Sequence, residues 1–179
     1  MPGLATSLER FAARVSRIAQ ALAGLACLGC LGLVCWAVAL RYFLNRPQAW
    51  SDEVVGWLVV AMVMLAVSEA QRRGENIGVD WLVDRWTGAR RRAVIGFGAL
   101  SVLVVAIVLI VEGGKMVDET LSWGIKSNAL PDAPLWAIQA LIPFGAALLL
   151  LVAIAQVAAW FAGREPEGYE QKPEIDSHE

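Results

Sequence analysis

The chain has 179 residues, of which 58% are hydrophobic and 18% charged, and its mean hydropathy is +0.56. A soluble domain is about half apolar, with roughly a quarter of its residues charged. The composition therefore excludes an ordinary soluble domain and indicates a membrane protein. With a net charge of −2, we expect no nucleic-acid partner.

The distribution of charge predicts four membrane-spanning helices. Residues 18–40, 93–111 and 133–163 contain no charged side chain, and a helix needs about 20 apolar residues to cross the hydrocarbon core. A fourth uncharged run, 54–68, is shorter and spans only if the helix extends into the charged residues at both of its ends. We expect an all-α membrane protein with one membrane domain, 1–163, and spans at about 18–42, 50–71, 92–112 and 134–162.

The basic residues predict the orientation of these spans. Eleven of the 15 Lys and Arg residues lie before span one, between spans two and three, or after span four. The positive-inside rule then places both termini and the middle loop in the cytoplasm. Cleavage of the first span as a signal peptide at Ala37-Val38-Ala39 is the alternative, but that run is longer than the usual apolar core of 7–15 residues.

The cysteines and the single histidine bear on cofactor chemistry. Cys27, Cys30 and Cys35 all lie in span one, and Cys27-x-x-Cys30 has redox or metal-motif spacing. In an apolar span, a small-residue packing face with the nearby glycines 24, 29 and 32 is favoured instead. The only histidine is His178, so we expect no metal and no cofactor. It lies in the polar tail 164–179, which we predict to be disordered.

The connections between the spans are predicted in chain order. Residues 1–17 have the apolar spacing of a short surface helix leading into span one. Glu69, near the end of span two, precedes Arg72 and Arg73 at ion-pair spacing. Span three ends near Glu112, and a polar loop follows from 115 to 133. Pro143 predicts a kink in span four.

The segment between spans two and three predicts an amphipathic helix on the cytoplasmic membrane surface. Its apolar face would be formed at i, i+3, i+4 and i+7, with Asp80 on the opposite side. A plain solvated loop is the alternative. The residues of the apolar face are Val79, Leu82, Val83 and Trp86.

Two carboxylates, Asp52 and Glu53, lie at the start of span two. Negative charge there suits the positive end of the helix, and Ser51 could cap free backbone N–H groups. An ion or proton relay is the functional alternative. However, Glu69 lies roughly 160° around the helix from Glu53, so this helix cannot carry a continuous charged path. An accessory subunit, with polar motifs that face a partner membrane protein, accounts best for short loops and apolar spans.

Three motifs resemble the small membrane subunit of TRAP transporters, the DctQ-like family. They read RYFLNRP at 41–47, WSDE at 50–53 and RRGENIGVD at 72–80. The family pattern is roughly R-Y-x-F-N, W-S-E-E and R-x-G-x-H-I-x-V-D, in this order and in the same four-span layout over about 15–162. Asp52 replaces the usual first Glu, and Asn76 replaces the usual His, so any role of that imidazole is absent.

The resemblance implies a non-enzymatic small permease subunit in a bacterial inner membrane. A DctP-like periplasmic solute-binding protein would deliver an organic acid, and a large DctM-like subunit would carry the substrate and sodium sites. This chain would scaffold the large subunit in the lipid bilayer for sodium-coupled uptake. The residues that would face a partner or lipid are Arg41, Asn45, Trp50, Ser51, Asp52, Glu53, Arg72 and Asp80.

Two other functions compete with this one. A stand-alone small membrane protein, either regulatory or holin-like, would need no partner and would not depend on the WSDE motif. A membrane redox enzyme that uses Cys27 and Cys30 is a more distant third, and alkylation of these thiols without loss of function would exclude it.

Overall fold

The computed structural model describes residues 2–46, 48–74, 88–127, 130 and 133–163. These residues form the helices α1 (Pro2–Phe43), α2 (Ala49–Arg73), α3 (Ala89–Trp123), α4 (Leu135–Gln139) and α5 (Leu141–Phe161). Four segments are long and apolar enough to cross a membrane: Ser7–Phe43, Ala49–Arg73, Arg90–Trp123 and Leu135–Phe161. The expected all-helical class with four candidate spans is therefore confirmed. The predicted interfacial residues 79–86 and the tail 164–179 lie outside the described residues.

Helix α1 is a single continuous helix rather than a short surface helix followed by a span. No glycine or proline lies between Leu4 and Ala23, so nothing in the sequence interrupts the helical hydrogen bonds between the two predicted segments. Its 42 residues extend over about 60 Å at 1.5 Å per residue. The helix is therefore about twice as long as a hydrocarbon core of ~30 Å.

Helix α3 is longer than predicted, and the expectation of a loop from residue 115 is wrong. The helix continues to Trp123 and ends at Gly124, where a φ of 62° lets the glycine N–H bond back to the carbonyls of Thr120 and Leu121. Charged residues after Glu112 do not end the helix, because a helix that leaves the apolar layer keeps its backbone hydrogen bonds. Lys115 instead pairs with Glu112 one turn earlier, at 2.8 Å.

Span four is interrupted at Ala140, between α4 and α5, three residues before Pro143, where the sequence predicts a kink. Pro143 has no N–H to donate to the carbonyl of Gln139, which removes one helical hydrogen bond at this position. Helical hydrogen bonds continue on both sides of the interruption, since Ala140 N–H bonds to the Trp136 carbonyl at 2.9 Å and Phe144 N–H bonds to the Ala140 carbonyl at 3.2 Å. The two helices together form one candidate span, Leu135–Phe161.

Helix α5 lies at the centre of the described helices and packs on α1, α2, α3 and α4. Its buried residues are mostly small: Gly145, Ala146, Leu149, Val152, Ala153, Ala155, Gln156 and Ala159. Small side chains allow close approach between membrane helices. Among the described residues, α3 packs on α4 and α5 without a comparable contact to α1 or α2. The arrangement is therefore open on the α3 side rather than a closed four-helix bundle.

One close helix approach depends on a glycine at position 145, Gly145 of α5. A Cβ at this position would lie 2.5 Å from the carbonyl oxygen of Met64 and 2.6 Å from its Cβ. Because backbone atoms cannot move aside as a side-chain end can, α2 and α5 would have to separate.

We expect Gly145→Ala to destabilise the protein by about 1–3 kcal/mol through overpacking, measured as reversible unfolding in detergent. Gly56→Ala on α2 is the matched control, because a Cβ at Gly56 would meet nothing within 4 Å. That substitution should be neutral or stabilise the helix by up to about 1 kcal/mol. Equal stability of the two variants would contradict the close packing of α2 on α5.

Candidate functional site

The first predicted group of site residues lies at the turn between α1 and α2. Arg41 is exposed in the last turn of α1, and Asn45 follows with a positive φ of 51°. Trp50 is half-buried, and its indole N–H donates to Gln48 Oε1 at 2.8 Å. The structure thus brings these motif residues together at one end of the helical hairpin.

The two carboxylates at this end differ in exposure, and Ser51 does not cap the helix. Asp52 is exposed in the first turn of α2, whereas Glu53 is half-buried in the next turn. The N-cap residue is Gln48, and it makes no side-chain cap. The Ser51 hydroxyl is buried and donates to the Gln48 carbonyl at 2.7 Å. The predicted capping role is therefore wrong, because the hydroxyl turns toward a carbonyl rather than toward a free N–H.

The opposite end of α2 carries a buried charged cluster around Glu69, whose side chain is 2% exposed. Arg72 Nη2 and Arg73 Nε each donate to Oε1 at 2.7 Å. Arg72 Nε donates to Oε2 at 2.8 Å, and the Ser16 hydroxyl donates to the same oxygen at 2.6 Å. The predicted ion pairs of Glu69 are confirmed, and both carboxylate oxygens have two donors each.

The Glu69 cluster joins two helices, because Ser16 belongs to α1 and the other three residues belong to α2. Ser16 lies in a line of buried small residues on α1 with Ala12, Ala19 and Ala23. These positions are spaced at three or four residues, so they form one face of the helix. The hydroxyl therefore reaches the carboxylate only when this face of α1 lies against α2.

A second buried polar contact joins α2 to α5. Gln71 Nε2 donates to Gln156 Oε1 at 3.0 Å, and Gln156 Nε2 donates to the backbone carbonyl of Gln71 at 3.1 Å. Both side chains are about 4% exposed. A buried amide without partners is costly in an apolar layer. The pair therefore favours one register of α2 on α5.

A third polar contact joins the start of α3 to the end of α5. Trp160 Nε1 donates to the Arg92 carbonyl at 2.8 Å, and Arg92 Nη2 donates to the Trp160 carbonyl at 3.1 Å. The Arg92 guanidinium carbon also lies 5.7 Å from the centre of the indole ring. The ring covers Gly96, where a Cβ would lie 2.6 Å from Trp160 Cε2.

The outer face of α1 has no partner among the described residues of the chain. Ala21, Gly24, Leu28, Gly32 and Cys35 are all exposed and fall within about 80° of one another at 100° per residue. A Cβ at Gly24 or Gly32 would meet nothing within 4 Å. The predicted packing of these glycines does not occur within the described chain, and this surface, which we call the α1 outer face, is open.

Sequence reasoning missed the interhelical partners of Glu69 and the Gln71–Gln156 and Arg92–Trp160 contacts. A signal was present for the glutamines, because an amide inside an otherwise apolar span requires a hydrogen-bond partner. Ser16 gave no comparable signal, since a serine in a helix can bond to its own backbone. Among the described residues, no group of three or more His, Cys, Asp or Glu side chains could hold a metal ion.

The two arginines of the Glu69 cluster should differ in their contribution to stability. Among the described contacts, Arg72 makes two hydrogen bonds to the Glu69 carboxylate and is 14% exposed, whereas Arg73 makes one to it and is 50% exposed. We expect Arg72→Ala to cost about 3 kcal/mol, as for breaking a buried pair. Arg73→Ala should cost less than about 1 kcal/mol, as for an exposed pair. Reversible unfolding in detergent measures the loss of unfolding free energy for each variant. Equal losses for Arg72→Ala and Arg73→Ala would contradict the view that the more buried arginine contributes more.

Comparison with known proteins agrees with this architecture. A family model described as the DctQ component of tripartite ATP-independent periplasmic transporters matches residues 30–163. No curated protein gives a significant match. The matched region contains α2 to α5 and the last part of α1, so it includes the WSDE motif, the Glu69 carboxylate and Gln156, while Ser16 lies before it. The chain belongs to the DctQ family and is a multi-pass membrane protein, the small component of a TRAP transporter.

Proposed function

We propose that the chain scaffolds a large DctM-like subunit in a bacterial inner membrane. The transporter would import an organic acid together with sodium, and a periplasmic solute-binding protein would deliver the substrate. Both termini would lie in the cytoplasm, which places the Glu69 cluster near that side and the WSDE motif near the periplasm. The orientation rests on the distribution of Lys and Arg, and the transport chemistry rests on the family.

The observation that carries this proposal is the open α1 outer face. Gly24 and Gly32 flank the 66% exposed Leu28, which leaves space for the side chains of another helix. Membrane helices associate through small residues that let backbones come close. The internal polar groups, in contrast, are used to join helices of this chain. A structural partner role therefore fits the described residues better than a transport site within this chain does.

The stand-alone function predicts a different outcome for the same surface. A regulatory or holin-like protein would need no large subunit, and lipid alone would cover the α1 outer face. A redox function of Cys27 and Cys30 is not favoured either, because the DctQ family consists of transporter components rather than enzymes. Cys27 is exposed and Cys30 half-buried, and both thiols are free.

Co-purification with a candidate large TRAP subunit is the first test of the scaffold role. We expect a tagged chain to retain the large subunit at about 1:1 in mild detergent. Gly32→Leu should reduce this retention about tenfold, since a helix contact in a membrane contributes roughly 1–2 kcal/mol.

The matched control is Gly114→Leu on α3, at another exposed glycine with nothing within 4 Å. Gly114→Leu adds the same side chain to an open helix surface, but on α3 rather than on the α1 outer face. It should therefore leave retention of the large subunit unchanged. A wild-type chain that purifies alone and monodisperse, while the large subunit runs separately, would favour the stand-alone function.

The WSDE motif is tested by removing its charge. We expect Asp52→Ala/Glu53→Ala to lower uptake or complex retention by about two- to fivefold, as for loss of partly exposed polar contacts worth up to ~1 kcal/mol. The control Asp118→Ala/Glu119→Ala removes the same charge from exposed residues near the end of α3. If both uptake and assembly survive the first change, the contact role of Asp52 and Glu53 is wrong.

A further inference from the structure

An apolar groove runs along the outside of the α3–α5 contact, next to the Arg92–Trp160 pair. Its volume is about 340 Å³. Its walls combine small residues of α3 with large apolar and aromatic side chains of both helices. The lining residues are Ala93, Gly96, Phe97, Ala99, Leu100, Val157, Trp160 and Phe161. The indole N–H of Trp160, the one polar side-chain group of the lining, is already bonded to the Arg92 carbonyl.

The groove is open toward the surroundings of the chain rather than toward its interior. Phe97 and Phe161 are each 74% exposed, and Leu100 is 53% exposed. The groove lies within the candidate span Arg90–Trp123, so its walls meet the acyl chains of the bilayer. A flexible hydrocarbon chain fills such a narrow apolar space without leaving a polar group unsatisfied.

Positive charge lies at one end of the groove. Arg92 is exposed, and its guanidinium is held in place by the Trp160 ring and carbonyl. A guanidinium has five N–H donors, so the bond to Trp160 leaves donors for an anion. The described acidic residues of α3 begin only at Glu112, far along the helix from Arg92. This end therefore complements an anionic group.

We propose that the groove binds one anionic phospholipid, with an acyl chain along Ala93 and Leu100 and the phosphate on Arg92. Basic residues at the end of an intramembrane groove bind anionic headgroups, and a planar guanidinium suits a phosphate in particular. Trp160 performs two tasks, because its ring forms a wall of the groove and also orients Arg92. The binding requires no large subunit, so it is independent of the scaffold role.

Lipid retention by the full-length chain tests the proposal. The tagged protein is exchanged into micelles that contain phosphatidylglycerol or phosphatidylcholine with identical acyl chains, and bound lipid is counted by native mass spectrometry. We expect one phosphatidylglycerol per chain, retained in preference to phosphatidylcholine. Arg92→Gln should weaken this preference about fivefold, as for loss of one basic residue near the surface. Arg92→Lys should keep most of it.

Two further variants separate the site from general effects. Ala93→Leu places bulk in the groove without replacing Arg92 or Trp160, and it should lower retention of both lipids. Lys115→Gln removes an exposed charge from the other end of α3 and should change neither. Equal retention of the two lipids by the wild type would overturn the proposal. A second pair of results would also overturn it: the large subunit displaces the bound lipid, and the Ala93→Leu variant no longer retains the large subunit. Together these results would identify the groove as a contact with another protein.

Discussion

The architecture depends on the burial of one carboxylate in an apolar chain. An ionised group removed from water costs several kcal/mol unless it is paired and hydrogen-bonded. Glu69 meets this requirement with four donors, and Ser16 among them comes from α1. The charge is thus fully satisfied only when α1 lies against α2. Two residues further along α2, Gln71 bonds to Gln156 and so attaches α5, because a buried amide also needs hydrogen-bond partners. Three helices are positioned by polar contacts near one end of α2, and small apolar residues then determine how closely they pack.

The open arrangement follows from the way in which α3 is attached. This helix contacts α5 along its length through small residues, and Gly96 and Gly113 allow Trp160 and Pro143 to come close. No comparable surface of α3 meets α1 or α2 among the described residues. A closed bundle would bury most of its apolar side chains inside the chain, whereas here long rows of leucine, valine and phenylalanine remain exposed. In a membrane such rows carry no penalty, so packing with a partner or with lipid can be specified by small residues and local charge.

The sequence predicted the elements far better than their contacts. Uncharged runs identified the spans because the hydrocarbon layer imposes a length and excludes charge. The same rule misplaced the end of α3, since it describes where the apolar layer stops and not where a helix stops. The pairing of Glu69 with Arg72 and Arg73 could be predicted because it is local in the helix. The bonds to Ser16 and between Gln71 and Gln156 could not, because they join residues 53 and 85 positions apart, and their geometry depends on the register between helices.

The two ends of α2 hold their acidic groups in different ways. Glu69 is enclosed by donors of this chain, so its charge is neutralised internally and stabilises the fold. Asp52, at the other end, is exposed in the first turn, where the helix end favours a negative charge. A group held in this way costs little in the isolated chain and remains accessible to an external partner. This difference between an internally paired charge and an exposed charge is expected of a scaffold. Its interior must be stable on its own, while the groups that contact other subunits must stay accessible until assembly.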